Sequence, residues 1–119
     1  MRQTFSREER LKRRGDFRRC IKHGGRAAGG YVVVYVAANE LGITRLGAGS
    51  TRRLGNAVAR NRAKRLVREA FRLAKADLPA GVDMVVLPRI PWRRPTLEEL
   101  KTDLIEAARR ATASLGERA

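Results

Sequence analysis

The stretch GNAVARNRAKRLVREAFRLAK, residues 55–75, carries seven Lys or Arg residues against the single carboxylate of Glu69, in a pattern that reads as one helix of about five turns. At roughly 100° per residue, Ala59, Ala63, Leu66, Val67, Ala70 and Ala74 share one arc, flanked by Phe71 and Leu73. Lys64, Arg65, Arg68, Arg72 and Lys75 occupy the opposite arc together with Asn61, while Arg60 and Arg62 stand at the two borders. Two faces that do not mix predict a helix packed on a sheet by its apolar side. Solvated helix faces commonly interleave Glu with Lys at i,i+4, each pair worth about 0.3 kcal/mol, whereas like charges at that spacing cost a similar amount. Here Arg60, Lys64, Arg68 and Arg72 follow one another at that spacing. Unpaired Arg in such a row suits phosphate, whose oxygens match the planar guanidinium fork and whose counterions are released on contact.

Around this helix the chain supplies strands. YVVVYVAA, 31–38, is rich in β-branched and aromatic residues and alternates Val32, Val34 and Val36 against Tyr31, Tyr35 and Ala37; the valine face belongs in a core. ITRLGAGSTRR, 43–53, reads as a second strand, as two short ones or as one with a bulge, and its glycines from Gly47 to Gly49 allow the close approach of another backbone or a ligand. VDMVVLP, 82–88, is a further strand. Between Gly15 and about His23, Phe17, Cys20 and Ile21 recur at helical spacing before Gly24-Gly25 stop the helix. Thr96, with Pro95 before it and Glu99 three residues on, opens a final helix through a capping box, and Trp92 in the Pro-rich RIPWRRPT is expected to cover the core edge, with stacking on a nucleobase as the alternative. Residues 1–13, polar and basic with Phe5 and Leu11 as their only anchors, read as a flexible basic arm in which Ser6 and Glu9 can close one capped turn.

At the start of the basic helix, Gly55 and Asn56 stand where a turn and an N-cap are wanted, and a helix N-terminus offers free N–H groups to anions. Arg52 and Arg53 approach the same corner. The charge of the whole chain agrees: the net value is +15, and residues 1–75 hold 20 Lys or Arg against 5 Asp or Glu, whereas 76–119 hold 7 of each. With no linker or repeat between them, the two parts read as one domain, 1–119, with a basic side whose expected partner is nucleic acid. A duplex-DNA reader would place such a helix in a helix-turn-helix, whereas this one is bracketed by strands.

Other chemistries find little support. Cys20 is alone, which leaves neither a disulfide nor a thiolate zinc cluster, and it reads as a small buried hydrophobe. His23 is the sole histidine, beside a helix C-terminus, and Glu8-Glu9 and Glu98-Glu99 are adjacent pairs that do not converge on a site, so no catalytic set is expected in the protein. No apolar run approaches the ~18 residues of a membrane span, and the basic stretch MRQTFSREERLKRRGDF contains no secretory h-region; a soluble, cytoplasmic protein without membrane contact is expected.

RRLGNAVARNRAKRLVREAFR closely resembles the signature of the bacterial ribonuclease P protein subunit, with its GNAV turn followed by RN, KR and RE on one helix. LKRRGDF upstream, the valine strand ending in Tyr35, and DMVVLPR downstream resemble the rest of that family in order. The resemblance implies an α+β fold of the ribosomal-protein-like kind, ordered α-β-β-β-α-β-α around a four-stranded sheet, with the signature helix in a left-handed crossover. That hand opposes the one found in about 98% of parallel crossovers. It further implies an assisting role in an endonuclease: a catalytic RNA, with Mg²⁺ held mainly by that RNA, removes the 5′ leader of precursor tRNA, and the protein binds both RNAs. Arg60, Asn61, Arg62, Lys64, Arg65 and Arg68 match the motif that meets the RNA subunit, with Arg52, Arg53 and Asn56 nearby and Arg72 on the same arc. Phe17 and Tyr35 match positions lining a cleft for the single-stranded leader. Two departures from the family pattern are Ile21, where an aromatic residue is frequent, and the less apolar strand GAGSTRR.

Overall fold

The computed structural model describes residues 5–118, with side chains as far as residue 115. Its elements are α1 (Arg14–His23), β1 (Gly25–Ala28), β2 (Val32–Ala38), β3 (Arg45–Ala48), α2 (Ala57–Ala74), β4 (Val82–Pro88) and α3 (Leu97–Arg118). The order is the α-β-β-β-α-β-α implied by the resemblance. One sheet holds the strands in the order β1-β2-β4-β3, antiparallel except for the parallel pair β3 and β4.

Alternation along the two central strands builds two layers. Val32, Val34 and Val36 of β2 and Met84 and Val86 of β4 point to one side, where Val67, Ala70 and Phe71 of α2 and Leu100, Leu104, Ala107, Ala108 and Ala111 of α3 bury them. On the opposite side α1 lies over one end of the sheet, enclosing Cys20 and Leu11 with Ala37 and Val85. Phe71, expected at the flank of the α2 stripe, is 1% exposed and belongs to the core. The buried arc of α2 is therefore rotated toward Phe71, and Ala59 and Leu66 at its other border are only half-buried.

Leu46 reveals the hand of the β3–α2–β4 crossover. Its side chain enters the layer of α2, buried with Val67 and Phe71, while its carbonyl accepts a 2.9 Å hydrogen bond from the Leu11 N–H on the edge of β3 away from β4. For an L-residue whose side chain faces the viewer in a chain running upward, the N–H and C=O point to the right. Seen from α2, β4 thus lies to the left of β3, and the crossover is left-handed.

Three expectations need correction. Residues 5–13 are not a free arm, while residues 1–4 of the expected arm lie outside the described residues. The turn Arg7–Glu9 forms with its Ser6–Glu9 capping box, but Leu11 is buried, Arg10 bridges to Leu46, and Phe5 meets Phe71 edge-on with ring centroids 5.4 Å apart. Glu9 accepts from Lys75 Nζ at 2.6 Å, tying this turn to the end of α2. Second, 43–53 is not a long strand: β3 ends at Ala48, its last bond to β4 runs from the Gly49 N–H to the Val86 carbonyl, and Arg52 and Arg53 sit in a 3-10 turn, Arg52–Leu54, leading into α2. Third, β1 occupies residues read only as a helix stop and a strand boundary. It is held by its neighbours: the Asp103 carboxylate on α3 accepts from the backbone N–H groups of Gly30, Tyr31 and Val32 at 2.8–3.2 Å and fixes the turn into β2. The capping box of α3 forms as expected, with Thr96 N–H donating to Glu99 Oε1 and Glu99 N–H to Thr96 Oγ1.

Candidate nucleic-acid interface

Asn56 caps α2 by accepting the Ala59 N–H at 2.9 Å, and Gly55 before it adopts φ 148°, a conformation that favours glycine. From this corner Arg52, Arg53, Asn56, Asn61, Arg62, Arg65 and Arg68 are all exposed. Arg60 and Lys64, nearer the buried arc, are half-buried, and Arg60 Nε is enclosed with no hydrogen-bond partner among the described residues. Arg72 stands apart. It forms an ion pair with Glu69 one turn back, and this pairing holds the Glu69 carboxyl below its ordinary range and raises the guanidinium. Lys75 is likewise occupied, with Glu9. By contrast, Arg62, Arg65 and Arg68 have no hydrogen-bond or ion-pair partner among the described residues. A row of solvated guanidinium groups with nothing in the fold to neutralise them can accept the phosphates of another molecule without breaking internal contacts.

The second group lies on the opposite face of the sheet. Phe17 on α1 lays its ring against Gly47 of β3; a Cβ at that glycine would be 2.5 Å from Phe17 Cζ. The close approach expected over the Gly47–Gly49 stretch is thus made by side chains of the chain itself, Phe17 at Gly47 and Leu87 at Gly49. Tyr35 is half-buried on β2, and its ring lies under the Arg26 guanidinium, 5.9 Å from the centroid. Because α1 covers only the Ala37–Val85 end, Val33, Tyr35 and Leu87 remain half-exposed beside Phe17. An open apolar floor, two aromatic walls and a cation above one of them form a groove suited to single-stranded nucleic acid. Ile21 is 44% exposed at the α1 surface, outside the Phe17–Cys20 cluster.

Arg26 belongs to this groove and was not singled out by the sequence. Its signal is the register Arg26↔Tyr35, legible only once β1 is recognised as a strand. Cys20 is fully buried and donates weakly to the Asp83 carbonyl at 3.4 Å, as expected of an inert thiol. Among the described residues, no three His, Cys, Asp or Glu side chains come together in a metal-binding group.

Comparison with known proteins shows the family. The family model described as Ribonuclease P matches residues 5–112. The chain belongs to the bacterial ribonuclease P protein family. Its work thereby falls in the processing of the 5′ leader of tRNA. The ribonuclease P protein component of Clostridioides difficile (strain 630) is 31% identical over 112 residues, covering 93% of this chain and 98% of its own. That of Thermotoga petrophila is 44% identical over 89 residues, covering 75% of this chain and 76% of its own. The solved structure of the RNase P protein from Thermotoga maritima superposes with a TM-score of 0.77 at 36% identity, covering 86% of this chain and 96% of that one. Among ribonuclease P proteins, then, this chain has its relatives over nearly the whole of its length and its fold. No helix among its described residues is long and apolar enough to cross a membrane.

Proposed function

We propose that this ribonuclease P protein binds the RNA subunit of the enzyme through the exposed face of α2 and its N-terminal corner, and takes the single-stranded 5′ leader of precursor tRNA into the groove between α1 and the sheet. The observation that carries the first part is the unpartnered state of Arg62, Arg65 and Arg68 beside exposed Asn61, Arg52 and Arg53, in a fold that supplies partners to Arg72 and Lys75. Phe17 and Tyr35, with Arg26 over Tyr35, support the second.

Hydrolysis is assigned to the RNA subunit and the Mg²⁺ ions that it holds, in the cytoplasm where tRNA precursors are made. Four of the protein's twelve acidic side chains are already engaged within the fold and so are not free to hold such an ion. Asp83 is taken up by Arg45, Arg19 and Asn39, Asp103 by three backbone N–H groups, Glu69 by Arg72 and Glu9 by Lys75. The protein's part is to hold two anionic RNAs near one another and lower the Mg²⁺ needed to do so. Adding the protein to a bacterial ribonuclease P RNA at low Mg²⁺ is expected to restore cleavage of the leader; absence of stimulation there would overturn the reading.

A further inference from the structure

Between α2 and the loop that leads from β4 to α3 lies a groove of about 470 Å³, separate from the Phe17–Tyr35 groove and sharing only Arg53 and Arg62 with the α2 phosphate face. Its floor is the part of the α2 apolar stripe left uncovered when the helix rotates toward Phe71, chiefly Leu66, together with Leu54 of the preceding turn. Trp92 forms the opposing wall, half-buried, with contacts to the core cluster. Three arginines, Arg53, Arg62 and Arg94, line it and no carboxylate does. Among the described residues none of the three guanidinium groups has a hydrogen-bond or ion-pair partner.

The backbone at Arg94 adds an independent sign. Its φ is +48°, left-handed for a residue bearing a side chain and directly before Pro95, where helical conformations are disfavoured. Strain of this kind persists where surrounding structure enforces it and concentrates at binding sites. The volume falls within the ~300–1,000 Å³ usual for small-molecule sites. An indole wall, an aliphatic floor and a rim of free guanidinium groups are complementary to a flat aromatic heterocycle carrying an anion on each side, which is the description of an unpaired nucleotide in an RNA chain.

We propose that this groove receives one unstacked nucleobase of the ribonuclease P RNA, stacked on Trp92, with its flanking phosphates on Arg53, Arg62 and Arg94. The proposal rests on the reading that the α2 face meets that RNA. It adds to a phosphate contact, which is indifferent to RNA conformation, a contact that only a bulged or looped nucleotide can make.

Trp92 is the sole tryptophan, so its emission reports on the groove alone. Titration of the full-length protein with the RNA subunit is expected to quench that emission saturably, with the same midpoint as binding followed on labelled RNA. Trp92→Phe, which keeps a stacking ring, should bind within about three-fold of the parent, whereas Trp92→Leu should bind about 10- to 100-fold more weakly with an unchanged salt slope. Arg94→Ala should flatten the salt slope instead. Should Trp92→Leu fail to fold, as judged by thermal unfolding, the parent emission and Arg94→Ala decide the matter. RNA binding with unaltered Trp92 emission and an unchanged slope in Arg94→Ala would overturn the proposal while leaving the α2 reading intact. Complete absence of RNA binding would overturn both.

Discussion

Arg45 on β3 grips Asp83 on β4 with two parallel hydrogen bonds, Nε to Oδ1 and Nη2 to Oδ2, each 2.7 Å. Asp83 is fully buried and accepts further bonds from Arg19 Nη2 of α1 at 2.7 Å and from Asn39 Nδ2 at 2.9 Å. Arg19 also donates to the Ala38 carbonyl, so one carboxylate fastens α1 to both central strands and to β3. Burial by itself would raise the Asp83 pKa; the hydrogen bonds of Arg45 and Asn39 and the charges of Arg45 and Arg19 outweigh it and hold the carboxyl below its ordinary range. A carboxylate depressed in the folded state contributes stability that is complete above its unfolded pKa, near 4, and is lost as pH falls through the folded value. Asp83→Ala is expected to cost about 3 kcal/mol, at the lower end for a broken buried pair because Arg19 and Arg45 keep access to water. Urea unfolding between pH 6 and pH 2.5 checks this: the parent should lose stability below about pH 4, and Asp83→Asn should do so less steeply.

On α2, the pairing of Glu69 with Arg72 separates one arginine from its neighbours. Arg65→Ala and Arg68→Ala are each expected to reduce the salt dependence of RNA-subunit binding by up to roughly 0.7 to 0.9 log units per lost phosphate contact, and Arg72→Ala by less. Glu69→Gln releases Arg72 and should steepen the slope. Filter binding across a salt series measures all four, and equal slopes for Arg65→Ala and the parent would mean that Arg65 touches no phosphate.

Gly47 admits the Phe17 ring, and Gly47→Ala would set a methyl 2.5 Å from Phe17 Cζ, inside any tolerable contact. The ring must then leave β3, at an overpacking cost of about 1–3 kcal/mol. Since Phe17 walls the proposed leader groove, precursor tRNA should bind the reconstituted enzyme more weakly while mature tRNA, which has no leader, binds as before. Gly15→Ala is the control. Space around Gly15 is open, and an alanine there should leave both affinities unchanged and raise stability by up to about 1 kcal/mol.

How much of this was legible in the sequence varies with the physics of each part. Helix α2 and strands β2 and β4 announce themselves because their own periodicity sets which residues are buried, and the N-cap at Asn56 follows from local chemistry. Strand β1 does not, because Gly-Arg-Ala-Ala has little strand propensity of its own. A Cβ at Gly25 would lie 2.0 Å from the Ala111 carbonyl oxygen on α3, so the glycine that reads as a helix stop is what lets α3 close over the strand. The docking of residues 5–13 was hidden for a related reason. Phe5 and Leu11 are too few to show a period, and their partners Phe71 and Leu46 are distant in the chain. Likewise, the groove under Trp92 depends on a rotation of α2 that places Phe71 inside, which a helical wheel leaves undetermined.

Cys20 offers a test of the core from the alkaline side. Its thiol is pushed up to about 11 by burial first and then by the negative charge of Asp83. At pH 8 the folded protein should therefore resist iodoacetamide, which attacks the thiolate, and labelling should appear only across the urea unfolding transition. The raised value also carries a stability consequence: the preference for the neutral thiol is fully present below the unfolded pKa, near 9, and fades as pH rises through about 11. Cys20→Ala should remove that part of the alkaline loss, seen as a smaller drop in unfolding midpoint between pH 8 and pH 11 than in the parent. Labelling of the native protein at pH 8 as fast as a free cysteine would show that α1 does not seal the Ala37–Val85 end of the sheet, and with it that the wall carrying Phe17 is not fixed in place.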